Sequence, residues 1–196
     1  MHLFNKDFFH NINLLLKPKL LLPSYEINDI NTLYDLLPNL KNVRGIIFDV
    51  DQTLIGFNRN TIDKNTEMII HYFSSKYKCC FLSNYPNQTY ADIRLRNIER
   101  QIGIPMIRSK YKKPDPLAFK EALYALGTNV NNTVVIGDRI LTDIIGANNI
   151  GMISILVKPI NWKLDPVLMV TIPRIFEQIL VKIIKYFVNI NKNEIK

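Results

Sequence analysis

Cysteine is nearly absent: the chain holds two, Cys79 and Cys80, side by side in an apolar stretch. Adjacent residues on a strand point to opposite faces and do not form an ordinary disulfide, so nothing here implies an oxidising compartment. Two thiols also lack the spacing and partners of a zinc site, and they read as buried core residues. Histidine is scarce as well. His2, His10 and His71 fall outside every motif, and no Ser-His-Asp order is present. The seven glycines never form GxGxxG or a phosphate loop ending in GKS/T, which removes the Rossmann dehydrogenase and kinase readings. No apolar run reaches the roughly 18 residues needed to span a bilayer. Near the start, the leucine triplets 14–16 and 20–22 are broken by Lys17, Pro18 and Lys19, too short and interrupted for a signal-peptide centre. An organelle transit peptide is disfavoured less firmly, because this arm has few acids.

What the chain does have is a 47% hydrophobic content over 196 residues, enough for one buried core. Its formal charge of +8 and pI near 9.4 suit an anionic partner: phosphates, nucleic acid or acidic lipid headgroups. Part of that charge is equally consistent with lysines on solvated faces.

The most informative stretch is Gly45 to Leu54, GIIFDVDQTL. A short apolar run leads straight into Asp49, Asp51 and Thr53, which reads as a buried parallel strand ending where polar chemistry begins. Ligands of open α/β sheets collect at the carboxyl ends of strands. Two carboxylates so close call for a cation between them, and Mg²⁺ is the first reading. Asp-x-Asp after a strand is also compatible with a helix cap or turn, so the rest of the chain has to decide.

Three further stretches follow in order: FLSN ending at Ser83 and Asn84, Lys112-Lys113-Pro114, and VVIGD ending at Asp138 with Thr142 and Asp143 beyond. Strand and helix patterns alternate between them. Helices are expected over 88–100 and from Pro116 to Gly127, and strands over 79–82, 133–136 and 152–157. This alternation predicts an α/β fold with a doubly wound parallel sheet flanked by helices. Residues 43–160 form the expected core. Residues 1–42 are expected as a strap and short helix packed on it, with a membrane-contacting arm as the functional alternative.

Taken together, DxDxT, S/T, K-P and GDxxxTD resemble the haloacid dehalogenase superfamily of aspartyl-phosphate phosphatases over residues 43–160. The segment GDRILTDIIGANNIGMISILVKPI, with the short spacer between GIIFDVDQTL and FLSN, resembles the capless YqeG group of subfamily IIIA. That group is similar to the phosphatidylglycerophosphate phosphatases of mitochondria and plastids. About thirty residues separate Asp51 from Ser83, room for a loop and one helix but not for a cap domain, and the next interval is also too short for the larger cap.

The resemblance implies a role for each matching residue. Asp49 would be the nucleophile and Asp51 the general acid and base, with Mg²⁺ held by the Asp49 carboxylate, the Asp51 backbone carbonyl and Asp138. Lys113, which directly precedes proline and is preferred to Lys112 for that reason, would neutralise the nucleophile and the transferring group. Thr53, Ser83 and Asn84 would hold or support phosphoryl oxygens, and Asp143 would sit behind Lys113 or the ligand waters. Arg139 is a further candidate for substrate contact.

Past Pro159, residues 161–196 are expected as a basic amphipathic helix. Ile175, Phe176, Ile179, Leu180, Ile183, Ile184, Phe187 and Val188 fall on one stripe, with Arg174, Lys182 and Lys185 off it. Such a stripe packs in a core or dimer, or lies on an anionic membrane. The resulting expectation is a Mg²⁺-dependent phosphomonoesterase for an anionic phospholipid, phosphatidylglycerophosphate. It would be cytoplasmic or inside an organelle, peripheral to a membrane, with no transmembrane segment. Two alternatives stand beside it: a phosphatase of nucleic-acid ends or soluble esters, and a non-catalytic module binding RNA or acidic lipid.

Overall fold

The computed structural model describes residues 17–56, 59–84, 89–161 and 172–193. Most of the N-terminal arm, with His2 and His10, lies outside the described residues, as do the side chains of Phe187 and Val188. Five parallel strands make one sheet: β1 (Tyr25–Ile27), β2 (Gly45–Phe48), β3 (Lys78–Phe81), β4 (Thr133–Gly137) and β5 (Ile153–Val157), in the order β1-β5-β4-β2-β3. β1 lies within the stretch expected as a strap and short helix. It pairs with β5 from Tyr25↔Ile155 to Ile27↔Val157 and forms the edge of the sheet. At three residues it is too short to show an alternating pattern, and only Ile27 of the three is buried.

Helices cover both faces, so the α/β doubly wound architecture is observed. The helices are α1 (Leu33–Asn39), α2 (Lys64–Ser74), α3 (Thr89–Ile102), α4 (Pro116–Leu126), α5 (Ile145–Asn149) and α6 (Ile172–Asn193). On one face Ile46, Phe48 and Cys79 pack with Ile70 and Phe73 of α2 and Ile98 of α3; on the other, Ile47 and Cys80 pack with Phe119 of α4 and Ala147 of α5. The two neighbouring thiols thus face opposite layers, and burial pushes both well above the usual thiol range, Cys79 to about 12.

Local signals set the helix ends. Asp63 caps α2 by accepting from the Thr66 N–H, Asp115 caps α4 by accepting from Leu117 with Pro116 at its first turn, and Gly127 closes α4 in the left-handed conformation. The entry to α5 is different. Ile140–Ile144 form one wide π-helical turn that runs into α5.

No cap domain interrupts the described residues, in keeping with the short spacers. β2 lies between β3 and β4, so the chain reverses its order of winding between β2 and β4. That reversal opens a crevice at the carboxyl ends of these two strands.

Candidate active site

Asp49 follows β2, and its N–H donates to the Ile136 carbonyl of β4 at 2.8 Å. Asp138 follows Gly137 at the end of β4, and Asp143 projects from the π turn. These three buried acids converge: one carboxylate oxygen of each lies within 4.8 Å of the others. Gly137 allows the approach, since a Cβ at this position would stand 2.4 Å from the Asp143 carboxyl carbon.

Lys113 reaches the cluster from the segment before α4. Its Nζ lies 2.5 Å from Asp49 Oδ1 and 2.6 Å from Asp143 Oδ1, and it is only 4% exposed. Of the two neighbouring lysines, Lys112 is exposed and Lys113 is the one that contacts the acids. The Thr53 hydroxyl is 3.4 Å from both Asp49 Oδ2 and Asp138 Oδ1. Asp143 is occupied on both oxygens: Oδ1 by Lys113, Oδ2 by the Arg139 N–H at 3.1 Å and the Thr142 hydroxyl at 3.3 Å. Ser83, two residues beyond β3, is buried.

Two expected members stand apart from the trio. The Asp51 carboxylate does not share a cation with Asp49. It forms a two-pronged pair with Arg94 of α3, at 2.6 and 3.2 Å, so separate cations relieve the repulsion between the two acids. Asn84, expected on the phosphate, uses its side-chain amide on the Lys113 backbone, donating to its carbonyl and accepting from its N–H, each at 2.8 Å. These bonds hold the lysine's backbone.

Burial sets the direction for two of the acids. It raises the Asp49 carboxyl well above the usual carboxylate range; Lys113 opposes this, while Asp143 and Asp138 add to it. Asp138 is pushed up to about 6 by burial, against the pull of the Arg174 guanidinium. For Lys113, burial favours the neutral amine, but Asp143 and Asp49 overcome it and hold the ammonium above its ordinary value.

Three residues that the motifs do not contain complete the site. Arg94 is one; the others are Arg174 and Glu177 of α6, both buried. Arg174 Nη1 is 2.7 Å from Asp138 Oδ2 and 3.2 Å from the Asp138 carbonyl. Glu177 accepts from the Arg139 guanidinium at 2.9 and 3.2 Å and from the Ile140 N–H at 3.0 Å. A sequence signal for this face existed: Arg174, Glu177, Val181 and Ile184 recur at helical spacing, and all four are buried. The apolar stripe predicted for α6 is mostly the opposite face, with Ile175, Phe176, Ile179 and Ile183 exposed.

The donor set fits a hard divalent cation. Three buried carboxylates face two cations, Lys113 and Arg174, leaving one negative charge in excess, and Asp138 Oδ2 has the ion pair with Arg174 but no well-formed hydrogen bond. All-oxygen donors of this kind suit Mg²⁺. A cavity of about 380 Å³ between α6 and the ends of β1 and β5 includes Asp138, Lys158 and Arg174 but neither Asp49 nor Lys113, so it adjoins the acid cluster without containing the nucleophile candidate.

Comparison with known proteins agrees with this chemistry. The chain is 34% identical over 124 residues to the probable phosphatase YqeG of Bacillus subtilis, covering 61% of this chain and 67% of that one. It is 25% identical over 153 residues to phosphatidylglycerophosphate phosphatase 1, chloroplastic/mitochondrial, of Arabidopsis thaliana, covering 74% of this chain but only 43% of the plant protein. Among solved structures, a haloacid dehalogenase-like hydrolase from Streptococcus pneumoniae matches with a TM-score of 0.49 at 13% identity, over 63% of this chain and 87% of that one. The family model described as mitochondrial PGP phosphatase matches residues 8–160. The chain therefore belongs to that family of phosphatases.

Proposed function

We propose that the protein is a Mg²⁺-dependent phosphomonoesterase that works through an aspartyl-phosphate on Asp49 and converts phosphatidylglycerophosphate to phosphatidylglycerol. The single observation that carries the reaction class is Lys113 Nζ lying between Asp49 and Asp143, beside Asp138. It leaves Asp49 Oδ2 as the oxygen to attack phosphorus, with the Thr53 hydroxyl 3.4 Å from it.

In the first half of the reaction Asp49 forms a bond to phosphorus, the ester P–O bond breaks, and protonated Asp51 gives its proton to the departing alkoxide. In the second half water attacks phosphorus, the aspartyl P–O bond breaks, inorganic phosphate leaves, and Asp51 takes up the water's proton. Lys113 lowers the negative charge that the incoming phosphate meets, and Ser83 is the candidate donor to its oxygens. Mg²⁺ on the Asp49 and Asp138 carboxylates and the Asp51 carbonyl would neutralise charge on the transferring group. Asp143 holds Lys113 in line.

The lipid substrate is supported by the name of the plant relative, by the uncovered crevice, and by the outer face of α6. There Ile175, Phe176, Ile179 and Ile183 are exposed beside Lys182 and Lys185, and the one acid among the helix's described side chains, Glu177, is turned inward. A basic apolar face of this kind suits an anionic bilayer surface. No described helix is long and apolar enough to cross a membrane. The protein is accordingly read as peripheral to a membrane, with residues 161–196 as the contacting element, 43–160 as the core and 1–42 joining the core's edge.

A competition assay tests the substrate: phosphatidylglycerophosphate in mixed micelles against p-nitrophenyl phosphate and a 5′-phosphorylated oligonucleotide, each with Mg²⁺. The lipid should show the highest kcat/KM by at least about tenfold, one methyl-sized increment of recognition or more. A higher kcat/KM for the oligonucleotide or the soluble ester would overturn the lipid assignment.

A further inference from the structure

The segment that carries Asp138 is held from outside the core. Asp138, Arg139 and Ile140 are consecutive, and each is gripped by α6: Asp138 by Arg174, Arg139 and the Ile140 N–H by Glu177. Both gripping side chains are almost fully buried, Arg174 at 5% and Glu177 at 1% exposed. Burying two charged side chains is costly unless each finds a fixed partner, so a solvated helix face would not carry them inward. The apolar row continues the contact. Val181 and Ile184 pack with Ile140 and Ile144 of the π turn that presents Asp143, and with Ile145 and Leu21. The family match ends at residue 160, and α6 begins at 172, so this clamp is an addition to the matched core.

We propose that α6 completes the divalent-cation site, with Glu177 and Arg174 as positioning residues for the Asp138 carboxylate, so that seating of the helix and binding of the metal are coupled. This rests on the reading of Asp138 as a metal ligand. Glu177 acts in two ways of the same sign. It fixes the backbone directly after the ligand through Ile140, and it draws the Arg139 guanidinium to itself and away from the acid cluster. Loss of its carboxylate loosens the ligand and releases a competing cation. Coupling is reciprocal, so the metal must tighten the helix as much as the helix tightens the metal.

The test is calorimetric Mg²⁺ titration of the full chain, wild type against Glu177→Ala, Glu177→Gln and, as control, Asp138→Asn. The expected order is wild type tightest, Glu177→Gln intermediate because its amide oxygen still accepts from Ile140, and Glu177→Ala at least tenfold weaker, with Asp138→Asn weaker still. Affinity within twofold of wild type in Glu177→Ala, with Asp138→Asn impaired, overturns the clamp and leaves the metal reading standing. Unimpaired binding in Asp138→Asn overturns both. Hydrogen exchange of the wild-type chain needs no variant: Mg²⁺ should slow amide exchange in residues 174–184 severalfold, and unchanged exchange contradicts the coupling even if Glu177→Ala fails to fold.

Discussion

Gly137 has no room for a methyl group, and its neighbours explain why. The Cβ of an alanine would fall 2.4–2.6 Å from three atoms of Asp143, whose carboxylate holds Lys113. Gly137→Ala should therefore displace Asp143 and Lys113 together, costing about 1–3 kcal/mol in stability as overpacking does and lowering kcat more than it raises KM. Chemical denaturation and steady-state kinetics on a soluble ester check both halves. Asp63 offers a prediction of another kind. Slight burial would raise its carboxyl, but hydrogen bonds from Thr66 prevail and lower it. A group with a lowered folded value contributes stability above its ordinary 3.8, and the contribution disappears as pH falls through the folded value. Asp63→Ala should cost about 1 kcal/mol at pH 7, and in denaturant melts the difference from wild type should shrink as pH falls below 3.8. At this scale the acids were legible because strand-end carboxylates interrupt apolar runs, as Asp49 does after β2 and Asp138 after β4. Arg94 was not legible, since its contact with Asp51 spans 43 residues and leaves no periodic trace.

Among the elements, α6 departs most from its sequence pattern. Its apolar stripe is wide enough to read as the packing face, yet the face that packs begins with Arg174 and Glu177 and ends with Val181 and Ile184. Hydropathy ranks charged residues as outward, and only their buried partners on the Asp138 segment reverse that ranking. β1 was missed for a related reason, because three residues on a sheet edge carry too little pattern to register. The central strands were legible, each an unbroken buried run, and so was α4 with its Asp115 cap and Gly127 stop. If the outer face of α6 seats on lipid, changing Ile175, Phe176 and Ile179 to serine should weaken binding to vesicles containing anionic lipid by at least about tenfold, since each exposed side chain removes a substantial apolar area from the contact. Turnover of a soluble ester should stay unchanged, because none of the three touches the acid cluster. Vesicle sedimentation equal to wild type would contradict the membrane role.

For the whole molecule, sheet order, charge and crevice serve one arrangement. Winding reverses between β2 and β4, which brings acids distant in sequence to one point, and Lys113 arrives there from the segment ahead of α4. The chain carries a formal charge of +8, while the three buried acids count one more charge than Lys113 and Arg174 beside them, a combination that suits a phosphate ester and a divalent ion. The central claim is that Asp49 is phosphorylated in turnover. Acid-quenching the enzyme during hydrolysis of a phosphate ester with Mg²⁺, followed by peptide mass spectrometry, tests it most directly. The phosphoryl group should appear on Asp49, vanish when Mg²⁺ is chelated, and be absent from Asp49→Asn, whose turnover should fall about a thousandfold or more. A phosphorylated residue elsewhere, or full turnover by Asp49→Asn, would contradict the account.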